Sequence, residues 1–90
     1  MLLKAYSIRD QKGEIFNTPF FKNTHGEAER DFNRAVNDPK TQLNEYPEDF
    51  DLWYLGDYDN NKGVLIPLET PQHICKAVSQ LPQGIAEKPE

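Results

Sequence analysis

A single well-marked helix between two strand-like stretches limits this chain more than any other feature. Thr24-His25-Gly26-Glu27 has the spacing of a capping box, in which the threonine oxygen accepts from the N3 amide and the Glu27 carboxylate reaches back to the cap. Ala28, Phe32, Ala35 and Val36 follow at i, i+4, i+7 and i+8, which is one apolar helical face. Asn37-Asp38-Pro39 closes the helix, since proline disfavours a helical conformation at the residue before it. One helix covers one face of a sheet, so the strands around it decide whether a face is left open.

Leu2 to Arg9 reads as a strand, followed by the turn Asp10-Gln11-Lys12-Gly13, in which Gly13 is expected to supply any positive φ. Glu14 to Thr18 returns antiparallel and Pro19 ends it, with Phe20 and Phe21 leading into the helix. Beyond Pro39 lies a polar linker with one helical turn near Thr41 to Asn44. Aromatic and branched residues then favour strand over Asp51 to Tyr58, Asp59 to Gly63 supplies hairpin chemistry, and Val64-Leu65-Ile66 returns. Thr70-Pro71 has a cap residue with proline at N1, which predicts a short second helix over Gln72 to Leu81. The expected fold is α+β with the order β-β-α-β-β-α: a four-stranded antiparallel sheet from two hairpins, with one main helix across a face.

The chain has 90 residues, enough for one domain, placed at 1–81, with 82–90 read as a disordered tail. No run approaches the roughly 18 apolar residues of a membrane span, so no membrane role is expected. The single cysteine, Cys75, has no internal partner for a disulfide. The net charge is −5, but it is unevenly spread: seven bases and six acids precede the Asn44/Glu45 junction, and three bases and nine acids follow it. A polyanion is therefore steered toward the first part of the chain.

Chemical motifs are sparse. On a helix His73 and Cys75 would lie on different faces, and neither metal nor thiolate chemistry finds enough partners. Asp57, Asp59 and Asn61 alternate like the start of a calcium loop, but Lys62 stands where its glycine belongs and Leu68 where its glutamate belongs, so a hairpin turn is favoured. No nucleophile, base and orienting group can be assembled, so an enzyme is not expected, and no cofactor or metal site is assigned.

In the third strand Leu52, Tyr54 and Tyr58 alternate with Trp53 and Leu55, and both sets are apolar; in the first strand Lys4, Tyr6 and Ile8 oppose Leu3, Ala5 and Ser7. An aromatic face left uncovered by the helix suits bases of single-stranded nucleic acid, which stack on exposed rings beside a basic rim. The candidate residues are Lys4, Tyr6, Arg9, Lys12, Arg30, Arg34, Trp53, Tyr54 and Tyr58, with Phe16 and Lys22 alongside.

Three stretches, KAYSIRDQKGEIFNTPFF, AERDFNRAVNDPKTQLNEYPEDFDLWYLGDYDNNKGVL and LETPQHI, together resemble the small nonstructural protein of gokushoviruses, single-stranded DNA phages of the microvirus group. The combination of a helix ending in VNDP, a YPEDF segment and an L-x-x-L-G-D-Y-D strand carries the resemblance over residues 4 to 75. It implies a phage protein made in the cytoplasm of the infected bacterium and absent from the virion. By analogy with other microviruses it implies a role in single-stranded genome replication or packaging. It brings no catalytic motif. Two readings follow: a binder of single-stranded DNA, or an acidic homodimeric adaptor that docks on the replication initiator or the capsid-assembly machinery, with the Glu45 to Asp59 segment as its charged surface. A homodimer suits either reading.

Overall fold

The computed structural model describes residues 1–82, so the expected tail lies almost wholly outside the described residues. Five strands build one antiparallel sheet: β1 (Leu2–Asp10), β2 (Ile15–Phe16), β3 (Phe20–Lys22), β4 (Phe50–Asp59) and β5 (Val64–Lys76). β4 and β5 follow β1 in order, while β2 and β3 share the opposite edge of β1. Helix α1 (His25–Val36) lies across one face, and a short α2 (Gln42–Glu45) and a 3-10 turn at Pro47–Asp49 lead into β4.

The local signals for α1 are met. Thr24 Oγ1 accepts from the Glu27 amide at 3.1 Å, but the Glu27 carboxylate reaches one residue further back than expected, to the amide of Asn23 at 3.1 Å. Ala28, Phe32 and Val36 are buried against Tyr6, Phe50, Leu52, Tyr54 and Ala77, and this is the core. Thr41 caps α2 through the Asn44 amide, as the helical turn expected there requires.

Three expectations are corrected. The predicted helix over Gln72 to Leu81 is instead the end of β5 followed by a 3-10 turn at Ala77–Gln80. The Thr70-Pro71 pair lies in an irregular stretch, Leu68 to Pro71, that departs from the β4 ladder between the Pro67 and Gln72 pairings. On an edge strand, prolines and bulges are tolerated, which is how Pro67 and Pro71 sit in β5. The second strand is split in two around Pro19, with Phe20 to Lys22 forming β3 rather than a lead-in to the helix. In the first turn Asp10 Oδ1 accepts from the amides of Lys12 and Gly13, and the left-handed residue is Glu14 (φ 57°), not Gly13.

The β4–β5 turn is the expected hairpin. Asp59 Oδ1 accepts from the amides of Asn61 and Lys62 at 2.9 and 3.3 Å, and Gly63 has φ 69°. Of the residues that hinted at a calcium loop, Asp59 thus spends an acceptor on the turn itself and Asp57 accepts from the Tyr54 hydroxyl.

Candidate functional site

The sheet face opposite α1 is built by register. Cross-strand partners share a face, so Leu3, Ala5, Ser7 and Arg9 of β1 stand beside Tyr58, Gly56, Trp53 and Asp51 of β4, and these beside Leu65, Pro67, His73 and Lys76 of β5. Phe21 of β3 and Phe16 of β2 complete the face on the other side.

A bulge at Leu55 produces this arrangement. Ala5 pairs with Gly56 and Tyr6 with Tyr54, which leaves Leu55 without a partner on β1 and shifts the alternation by one. Tyr58 therefore lies on the Trp53 face and not on the Tyr54 face, against the expectation from simple alternation.

The candidate residues separate accordingly. Arg9, Trp53 and Tyr58 share the open face. Tyr6 and Tyr54 are buried beneath α1, with 0% and 8% of their surface exposed, so neither ring can receive a base. Their hydroxyls are occupied as well: Tyr6 Oη meets His25 Nδ1, and Tyr54 donates to Asp57 Oδ1 at 2.6 Å. Lys4 lies on the helix side, with its Nζ 5.6 Å from the centre of the Tyr54 ring. Arg30 and Arg34 line a groove between α1 and β3 that also holds Lys22 and Asp31, and Asp31 pairs with Lys22 at 2.5 Å and with Arg34 at 3.6 Å. Lys12 lines a separate cleft with Glu48, Asp49 and Tyr46. The structure does not join these basic residues into one rim.

What it does assemble is a connected row of rings. Phe16 meets Trp53 edge to face at 5.8 Å between ring centres, and Trp53 meets His73 in the same way at 5.2 Å. The Arg9 guanidinium stands over Phe16 at 5.1 Å. His73 Nε2 is 2.8 Å from Asp51 Oδ2, and Gln11 donates to the other carboxylate oxygen at 3.5 Å. Asp51 is 5% exposed, so this carboxylate faces its partners and not the solvent. Arg9 and Lys76 flank it as the cations of this end of the face. Trp53 Nε1 is buried without a hydrogen-bond partner.

Further along the same face Phe21 meets Tyr58 at 5.5 Å, and a shallow groove of ≈ 270 Å³ runs between Ala5, Pro19, Phe21, Leu65 and Pro67. Asp57 also lines that groove, and Phe21 borders the groove of Lys22, Arg30 and Arg34, so the face has a cationic aromatic end and an apolar end edged by charge. His73, Lys76 and Phe21 were not among the expected site residues. His73 and Lys76 become visible only once Gln72 to Lys76 is a strand paired with β4, and Phe21 only once β3 is paired with β1.

Residues 3–80 match the family described as Phage ORF5 protein. The chain belongs to that family. The match spans nearly all of the described residues, including both ends of the open face. Protein ORF5 of Chlamydia phage 1, a gokushovirus, is 38% identical over 73 residues, covering 71% of each chain. The motif resemblance to gokushovirus proteins is therefore borne out, and this ORF5-family chain is a phage protein. No solved structure matches it.

Proposed function

We propose that this ORF5-family protein acts in single-stranded DNA genome replication or packaging, in the cytoplasm of the infected bacterium and outside the virion, by binding single-stranded DNA without catalysis. The observation that carries this reading is the Phe16–Trp53–His73 row on an uncovered sheet face, with Arg9 over Phe16, Lys76 beside it and the local carboxylate of Asp51 sequestered by His73. Bases stack on such rings with roughly 1–3 kcal/mol each, and a sheet carrying aromatics is a recurrent platform for splayed single strands. A chain of net charge −5 gains little from long-range attraction, so stacking supplies the larger part of the affinity.

Trp53 is the one tryptophan in the chain, so intrinsic fluorescence reports directly on the site. Titration with oligo-dT is expected to quench it, duplex DNA of equal length to quench it far less, and the log–log salt slope to stay near −1.4, about −0.7 for each phosphate met by Arg9 and Lys76. Unchanged fluorescence and unchanged oligonucleotide anisotropy at low salt would sink the reading. The adaptor alternative draws on the exposed Glu45 and Glu48 near Asp49 and would then stand, with the replication initiator or capsid-assembly proteins as its partners.

A further inference from the structure

The charge that the sequence divides between its two halves is gathered by the fold at two places near the β2–β3 edge of the sheet. Toward the Leu3 end of β1, the groove between α1 and β3 is lined by Arg30 and Arg34, one helical turn apart, together with Leu3 and the 41% exposed Phe21. Asp31 in the same groove is taken by Lys22 at 2.5 Å, and the Glu27 carboxylate by the Asn23 amide. Arg30 makes no ion pair among the described residues, and Arg34, with a side chain 75% exposed, has only a long one to Asp31 at 3.6 Å. Toward the Asp10 end of β1, Glu45, Glu48 and Asp49 flank the 47% exposed Tyr46 beside the β1–β2 turn, and Lys12 is the one base lining that cleft. None of these three acids makes an ion pair among the described residues. Seven strand steps separate Leu3 from Asp10, roughly 23 Å, so the two sites of one copy cannot meet each other.

We propose that they meet between copies, in a two-fold dimer that sets the β2–β3 edge of one chain antiparallel against that of a second. In such a contact residue i of one copy meets residue j of the other, and j meets i. A surface with cations at one end and acids at the other is then complementary to itself. Arg30 and Arg34 of each copy take Glu45 and Glu48 of the other, their planar forks matching the two oxygens of a carboxylate. Tyr46 of one copy is brought against Phe21 and Leu3 of the other, which removes both exposed rings from water. Nucleic acid fits this edge less well, because a strand following it from Arg30 and Arg34 would run into Glu45, Glu48 and Asp49.

The proposal uses this edge and not the ring row, so it stands or falls apart from DNA binding. The test is sedimentation equilibrium of the full chain at low salt over a wide concentration range. The wild type is expected at twice its 10.4 kDa mass and to move toward the single mass as salt is raised. Two double variants change exposed residues only, Arg30→Glu with Arg34→Glu and Glu45→Lys with Glu48→Lys, so circular dichroism should be unchanged in both. Each alone is expected at the single mass, because it places like charges at both contacts. Mixed in equal amounts they should return to twice that mass, since the exchanged signs restore both contacts at once. A wild type that stays monomeric at low salt and its highest soluble concentration overturns the proposal. Folded double variants that each still dimerise alone overturn it as well, as does a mixture that stays monomeric where the wild type dimerises.

Discussion

Gly56 lies against Pro67 so closely that a Cβ on Gly56 would stand 2.5 Å from the Ile66 carbonyl oxygen and 2.7 Å from Pro67 Cα. Its φ of 153° is also one that side chains rarely adopt. Gly56→Ala must therefore move the β5 backbone as well as strain its own, and is expected to cost about 3 kcal/mol, seen as a lower urea midpoint. Because the bulge sets which face Tyr58 occupies, the Phe21–Tyr58 contact should loosen with it. A near-neutral Gly56→Ala would mean that β4 and β5 are less tightly apposed here.

The open face and the helix face give opposite expectations for single substitutions. Trp53→Ala and Arg9→Ala should each weaken oligo-dT binding several-fold or more while circular dichroism stays unchanged, with binding of the tryptophan variant read by anisotropy. Arg34→Ala, in the groove beside Asp31, should leave binding within twofold of wild type. If Arg34→Ala weakened binding as much as Arg9→Ala, the strand would have to run around the β3 edge, not along the ring row.

Alkaline pH should destabilise the fold by a predictable route. Burial, with the negative charges of Glu29 and Asp51 adding to it, pushes the Cys75 thiol from an ordinary 9.0 up to about 11. Tyr6, chiefly through burial, and Tyr54, chiefly through its bond to Asp57, are both pushed from 10.0 up to about 12. In each case the native state holds the proton more tightly than the unfolded chain. The stabilising contribution is complete below the unfolded value and is lost as pH rises through the folded one. The urea midpoint is expected to be flat from neutrality to about pH 9 and to fall between about pH 9 and 12. The same burial predicts that Cys75 reacts with a disulfide reagent much more slowly in the native protein at pH 8 than in urea.

Removing the helix cap should be a mild and local lesion. Thr24→Ala leaves the Glu27 amide without its 3.1 Å partner and is expected to cost about 1 kcal/mol. Thr24→Ser should recover most of it. Equal losses for the two variants would show that the threonine methyl, and not the hydroxyl, matters at this position.

What could be read in the chain divides by range. The cap at Thr24, the stop at Asn37-Asp38-Pro39 and the Asp59–Gly63 hairpin are set by neighbours within a few residues, and each formed. The identity of the open face was legible in outline, because Trp53 alternates with Leu52 and Tyr54 and one helix cannot cover both sides. The position of Tyr58 was not legible, since it depends on Leu55 being the residue left out of the pairing between β1 and β4, a choice made by partners about fifty positions apart. The Thr70-Pro71 pair misled for a related reason. The same two residues that start a helix also fit an irregular edge strand, and only the pairing of Gln72, His73 and Cys75 with β4 decides between them. The basic residues were individually visible, but helix and turn geometry carried Arg30, Arg34 and Lys12 away from Trp53, and strand alternation put Lys4 on the other face.

The two prolines of β5 have a consequence for assembly. An outermost strand of thirteen residues is a template on which further chains could add by backbone pairing. Pro67 and Pro71 carry no amide hydrogen, and the stretch from Leu68 to Pro71 leaves the ladder, so a chain approaching this edge meets an interrupted row of donors. Growth by strand addition is thereby halted on this side. The chain can then expose Leu65 on its face without presenting an unbroken backbone edge beside it, and it is an unbroken edge that lets strand addition propagate.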